Sequence, residues 1–590
     1  MTEIDLSEIK SPADIRKMSL TELTQLAAEM RSTLLEKLSA HGGHIGPNLG
    51  MIEAVIALHY VFDTPQDKII FDVSHQTYPH KMLTGRMQAF TDPAHYDDVT
   101  GYTNPAESDY DLYSLGHTSS AVALAAGLAK ARDLQGGKEN VVAVIGDGSL
   151  SGGVAFEGLD YGATLGSNFI VVVNDNQMSI AENHGGIYAD LRLLRNTNGT
   201  AEPNLFRSMG YGYRYVNYGN DLKSLIEMFR SVKDVDHPVV VHINTMKGMG
   251  LPVAEANKEE FHYGAPFDLK TGAPLHEENP ETAPEDYSDL FAKSMLRRMK
   301  ENDKVVTITA GTPGVLGFDK ERRREAGHRF IDVGIAEQAA VDLASGLAKG
   351  GMRPVVGFVS SFLQRAYDQF SQDISLNRQP ATFVIFYGSM FGMNDETHLG
   401  FFDIALLSNI PNLLYLAPTC KEEFEAMLDW SIGQSERAVI VRTPGAIAVP
   451  NPDIKLLDDY SQPVYDVVRQ GAEVALIGAG SMFGFMAQAA DLLAKQGVNA
   501  TLINPRNLSL LDTATLDSLK DYKVVITAED GTIDGGYGQK VASYLGEAPV
   551  RVVNLGLPKE FLNRYDYSDL QKRCGLTPDQ IAQTALSAMK

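Results

Sequence analysis

Short β-branched runs alternate with helix-length amphipathic segments along almost the whole chain, and this pattern limits the fold more than any other feature. Such alternation marks parallel sheets with helices on their faces. It is clearest over 141–180, where "VVAVIG" and "FIVVVNDN" enclose a segment that reads as a helix. Each run closes on a small, oxygen-rich turn. Asp147 and Asn176 therefore fall at the carboxyl ends of two neighbouring buried strands, where parallel α/β sheets bind their ligands.

At 590 residues the chain exceeds what one core can organise. It divides into blocks at 1–265, 290–460 and 461–590. The Pro- and Glu-rich passage 266–289 shows no periodicity and reads as a linker. The fold expected is α/β, three doubly wound domains with mostly parallel sheets. No apolar run reaches membrane-spanning length, and the mixed-charge N-terminus lacks the apolar region of a secretory signal. Two cysteines in the chain exclude a disulfide framework or a multi-cysteine metal site, and a reducing cytoplasm is the simplest setting. A formal charge of −24 argues against a nucleic-acid partner, because phosphate backbones need clustered Lys and Arg.

Both Asp147 and Asn176 offer hard oxygen ligands. Mg²⁺ suits such a pair, since it takes one or two protein oxygens and lets substrate phosphates complete its octahedron. Gly146 and Gly148 let backbone pass close to a diphosphate, and the helix starting near 151–153 points its N–H groups at the anion.

The run "GDG…NDN" matches the signature of thiamine-diphosphate enzymes. With "GGHIGPNLG" (42–50), "FDVSHQTYPHKMLTGR" (71–86), "YSLGHTSS" (113–120), "IAEQ" (335–338), "SSFLQRAYDQ" (360–369) and "THLGFFD" (397–403), the chain resembles the 1-deoxy-D-xylulose-5-phosphate synthase family over nearly its full length. The resemblance implies a transketolase-like homodimer with thiamine diphosphate and Mg²⁺ held between the first and second blocks. It implies Mg²⁺ on Asp147, Asn176 and the carbonyl of Met178, and cofactor contacts from His117, Gly146, Gly148, Ser149, Asn176, Met178, Lys247, Phe362 and Arg365. Glu337 matches the activating glutamate, whose carboxylate against the pyrimidine nitrogen needs a tuned pKa. His44, His75, His262 and His398 match catalytic positions. His80 reads as structural, as do Cys420 and Trp430. Gly478 and Gly480 in "LIGAGSMFG" follow a strand, but the third glycine and the acidic residue about 20 positions on that a dinucleotide site needs are not in place; the third block matches a family domain that is structural and helps form the dimer.

The match breaks where the family grips the acceptor's phosphate. Tyr387 and Gly445 stand where the family has arginines, Asn394 replaces an aspartate, Val359 a tyrosine and Ala339 a histidine. Each charge-assisted phosphate contact contributes roughly 1.5–3 kcal/mol, so two lost arginines cost about two to four decades of affinity. Arg365 and Arg442 remain as candidates to reach a phosphate. Three functions follow. The first is the family reaction of pyruvate with glyceraldehyde 3-phosphate, leading to isoprenoid precursors. The second is a related carboligase or transketolase with another acceptor or a ketose donor. The third, which retention of Glu337 disfavours, is a non-catalytic paralogue.

Overall fold

The computed structural model describes residues 4–276, 284–445 and 447–590. They form two compact units, Met1–Thr282 with Gly334–Ala336, and Ala283–Val333 with Glu337–Lys590. The expected linker, 266–289, lies partly on 277–283, outside the described residues; its described part includes an antiparallel bridge between Phe267 and Pro274.

The first unit is built on a five-stranded parallel sheet in the order Lys68–Phe71, Val141–Gly146, Phe169–Asp175, Pro238–Asn244, Gly212–Val216. Its central strands read as unbroken apolar runs because both faces are covered. Val142, Val144, Ile170 and Val172 enter one core, beside the buried helix Gly46–Val61. Val141, Ala143, Ile145, Val171 and Val173 enter the other, against the helices Ala121–Gln135 and Gly153–Gly162. The register pairs Gly146 with Asn174, and Asp147 N–H donates to Asn174 O at 3.0 Å. Parallel pairing thus puts the two oxygen-rich turns side by side. A small antiparallel pair, Gly43–His44 with Tyr263–Gly264, joins two distant loops.

The second unit holds two sheets. One has six parallel strands in the order Leu413–Leu416, Ala438–Arg442, Thr382–Phe386, Arg353–Val359, Val305–Thr309, Phe330–Asp332. The other, five-stranded, is parallel but for the edge strand Asp466–Arg469, which pairs antiparallel with Thr501–Asn504 through a bulge. One apolar cluster runs through both sheets, from Ile385 and Tyr415 to Ile477 and Val525. The mixed α/β class with mostly parallel sheets is as expected. The antiparallel edge was not foreseen, because "DVVR" is half exposed and too short to show a period.

Candidate active site

In the first unit Asp147 follows the strand Val141–Gly146 directly and is 1% exposed. Its Oδ2 accepts from Asn183 Nδ2 at 2.7 Å, while Oδ1 is buried with no hydrogen-bond partner in the protein. Burial, and then the charge of Asp175, push the carboxyl up to about 8. Asp175 itself is fully paired, accepting from Arg195, from His242 at 2.9 Å and from Gln177 N–H. Asn176 turns the chain, its Oδ1 accepting Met178 N–H at 3.1 Å. Among the described residues no group of three or more His, Cys, Asp or Glu is arranged to hold a metal. The oxygen set expected here needs only one carboxylate, with an amide and a carbonyl, and the orphaned Asp147 Oδ1 is what a hard cation would satisfy.

Around these oxygens the backbone is open. An added Cβ at Gly146 would meet nothing within 4 Å, whereas one at Gly148 would press on Ser179. Ser149 lies in the short 3₁₀ turn Gly148–Ser151 that precedes the helix. Its carbonyl accepts from Ser119 Oγ at 2.8 Å. Ser119 (φ 74°) and Ala121 donate their N–H groups to the two oxygens of Asp72, and this anchors the loop that carries His117.

Three of the expected histidines meet. The rings of His44 and His75 are 5.1 Å apart, those of His75 and His262 stack at 5.0 Å, and those of His44 and His262 lie at 6.0 Å. Ile45 and Gly46 donate their N–H groups to His262 O and Phe261 O, which closes the two loops on each other. Lys247, 2% exposed, donates to Ser179 O at 2.7 Å and lies 3.0 Å from His262 Nδ1. Burial chiefly lowers Lys247 to about 7. Burial, with the charge of Lys247 next, holds His262 well below the usual histidine range. His44 sits in the two-residue strand Gly43–His44, which brings it to this cluster. His80 lies apart, buried between His59 (2.8 Å) and Asp111 (2.8 Å), as a structural histidine should.

In the second unit Glu337 opens the helix Glu337–Lys349 and is 3% exposed. Burial raises its carboxyl above the usual range, against the pull of Arg365, whose Nη1 stands 3.6 Å away. Glu337 Oε2 has no hydrogen-bond partner in the protein. Phe362 meets the His398 ring edge-on at 5.5 Å. Ser360 Oγ donates to Gly400 O at 2.8 Å, tying the two segments together.

The departing residues also meet. Tyr387 has φ 58°, and a Cβ at 445 would stand 2.5 Å from its Cδ1 and 2.6 Å from Gly392 Cα. The tyrosine ring fills the space that a side chain at 445 would need. Arg442 does not reach outward for a phosphate. It is 3% exposed, its Nε donates to Asp403 at 2.8 Å and its Nη1 to Asp530. A buried guanidinium held by two carboxylates is neutralised in place, which corrects the expectation that Arg442 stays available. Sequence reasoning also passed over Asn48, Asp72, Tyr78 and Asn183, which position the loops; a polar residue inside an apolar helix was the visible signal for Asn48 alone.

A family model described as 1-deoxy-D-xylulose-5-phosphate synthase matches residues 6–203. Models of the transketolase thiamine diphosphate binding, pyrimidine binding and C-terminal domains match 117–302, 284–447 and 465–581. The 1-deoxy-D-xylulose-5-phosphate synthase of Symbiobacterium thermophilum is 38% identical, over 98% of this chain and 94% of its own length. That of Heliobacterium modesticaldum is 36% identical, over 99% and 95%. With such similarity sustained from end to end, the chain belongs to the 1-deoxy-D-xylulose-5-phosphate synthase family.

Proposed function

We propose that the protein is a thiamine-diphosphate- and Mg²⁺-dependent carboligase that condenses pyruvate with an aldehyde and releases CO₂. With glyceraldehyde 3-phosphate the product is 1-deoxy-D-xylulose 5-phosphate, a precursor for isoprenoids. The observation that carries this reading is a pair of buried carboxylates, Asp147 with one oxygen that accepts no hydrogen bond and Glu337 with one that meets only the Arg365 guanidinium, at 3.6 Å. Such oxygens are costly unless a ligand completes them.

Asp147, Asn176 and the Met178 carbonyl would hold Mg²⁺. Gly146, Gly148, Ser149, His117 and Lys247 would hold the diphosphate end of the cofactor, and Phe362 and Arg365 its ring end. Bound thiamine diphosphate supplies the nucleophilic carbon to which pyruvate adds and from which CO₂ leaves. Glu337, whose carboxyl burial raises above its ordinary range against the pull of Arg365, would present its carboxyl to a ring nitrogen. His262 is held neutral by burial and by Lys247. With Nδ1 facing the lysine, its Nε2 carries the proton and donates. His44, His75 and His398 complete the set that orients carbonyl oxygens and passes protons. No helix among the described residues is long and apolar enough to cross a membrane. The reading carries a homodimer in the cytoplasm, with both cysteines as free thiols. It assigns 1–265 to diphosphate and Mg²⁺, 290–460 to the pyrimidine, and 461–590 to the C-terminal domain. Sedimentation of the purified protein checks the dimer.

A second reading, an acceptor without phosphate, is favoured by the capture of Arg442 and by Tyr387 filling the space over Gly445. One experiment separates the two: purified protein with Mg²⁺, thiamine diphosphate and ¹³C-pyruvate, with glyceraldehyde 3-phosphate or glyceraldehyde as acceptor. Deoxyxylulose phosphate formed far faster than the unphosphorylated product supports the family reaction. The opposite preference supports the second reading, and no product from either, with Glu337→Gln equally silent, overturns both.

A further inference from the structure

The helix Gly46–Val61 carries a fully buried amide near its start. Asn48 is 0% exposed, and its three polar contacts all go to the segments that bear His44 and His75. Nδ2 donates to His44 O at 2.8 Å and to His75 O at 2.8 Å. Oδ1 accepts Tyr78 N–H at 2.8 Å. Tyr78 then closes the ring, because its hydroxyl, buried at 7% exposure, receives His44 N–H at 3.4 Å. The orientation of the amide is unambiguous, since a flipped group would set its oxygen against two carbonyls.

We propose that Asn48 is the positioning residue of the histidine cluster. It clamps two loops, 31 residues apart in sequence at His44 and His75, so that their rings stand 5.1 Å apart. The physical case is one of numbers of donors. Two backbone carbonyls and one backbone N–H, all in a dry environment, are satisfied by one side chain. Removing it leaves three main-chain groups to find new partners, and they do so by moving the loops. A shift of about 1 Å at catalytic groups costs on the order of 100-fold in rate. The proposal rests on the assignment of His44 and His75 to catalysis.

The test is a double-mutant cycle on the holoenzyme, with Asn48→Ala, His75→Ala and both together, assayed well below the lowest melting temperature. Asn48→Ala is expected to lower kcat by about 10- to 100-fold while thiamine diphosphate affinity and far-ultraviolet circular dichroism stay near those of the parent. The double variant is expected to lose less than the product of the two single losses, because the part of the clamp's effect that runs through His75 is gone while the part that runs through His44 remains. Tyr78→Phe, which keeps the packing, is expected to lower kcat several-fold and serves if Asn48→Ala does not fold. Multiplicative losses in the double variant, or an unchanged kcat in Asn48→Ala or Tyr78→Phe, overturn the clamp. Full activity in both His44→Ala and His75→Ala overturns instead the site assignment on which it rests.

Discussion

The exchange of Tyr387 and Gly445 is a coupled pair in its physics. Glycine is required at 445 because a Cβ there meets both the Tyr387 ring and Gly392 Cα. Gly445→Ala is therefore expected to destabilise the protein by about 1–3 kcal/mol, the usual cost of forcing atoms into a filled space. Tyr387→Ala should remove the part of that cost that comes from the ring in the double variant, leaving the contact with Gly392 Cα. Additive losses in urea unfolding would show that the two residues do not share their space. A second residue, Glu529, sets a pH dependence. It is 1% exposed, and burial pushes its carboxyl up to about 7 although Tyr537 and Gly538 donate their N–H groups to it. A carboxyl raised in the folded state binds its proton more tightly there than in the unfolded chain. Its stabilising effect is complete below the unfolded value near 4.5 and is lost as pH rises to about 7. Urea midpoints of the parent against Glu529→Gln, measured from pH 4.5 to 8, check this. The variant loses one acceptor at every pH, but the gap between the two curves should narrow as pH rises, and a constant gap would refute the shift.

Element by element, the sequence made strands and their ends legible and left loop meetings hidden. "VVAVIG" and "FIVVVNDN" announced themselves because sheets covered on both faces need β-branched residues at every position. Parallel register then places Asp147 beside Asn174–Asn176 with no further information. The cluster of His44, His75 and His262 had no such signature, since it depends on the pairing of Gly43–His44 with Tyr263–Gly264 across more than two hundred residues. Nor did "VRTPG" show that Arg442 would be held by Asp403 and Asp530, which come from other elements. Helix packing follows the same division. Gly158 and Gly127 both sit inside helices, yet a Cβ at 158 would stand 2.7 Å from Ala123 N, and one at 127 would touch nothing within 4 Å. Gly158→Ala is expected to cost about 1–3 kcal/mol by forcing the two helices apart. Gly127→Ala should gain about 0.5–1 kcal/mol from the stiffer unfolded chain and better helix propensity. Thermal melts of the two variants should move in opposite directions; a common sign would mean that local propensity, and not the helix contact, dominates.

Across the whole molecule, the two orphaned carboxylates belong to different compact units, Asp147 to the first and Glu337 to the second. Each unit therefore brings one buried carboxyl with an oxygen lacking a hydrogen bond and its own surroundings, and the two carboxyls should fail in different ways. Asp147 borders the turn proposed to hold the diphosphate, so its loss should act on binding. Asp147→Asn is expected to weaken Mg²⁺-dependent cofactor binding by roughly 10- to 150-fold, the cost of one charge-assisted contact. The apo-protein should meanwhile gain stability, because a buried carboxyl with one oxygen lacking a hydrogen bond is replaced by a neutral amide. Burial raises the Glu337 carboxyl above its ordinary range, as proton transfer with a ring nitrogen requires, so its loss should act on chemistry. Glu337→Gln keeps a donor in the same place and is expected to bind cofactor within about threefold of the parent while kcat falls by about 10²- to 10⁴-fold. Calorimetric titration with thiamine diphosphate, set beside turnover of labelled pyruvate, reads both quantities on each variant. If Glu337→Gln loses as much affinity as Asp147→Asn, the two carboxylates do not divide binding from proton transfer. If Asp147→Asn binds normally and only turns over slowly, its unpaired oxygen does not serve the metal.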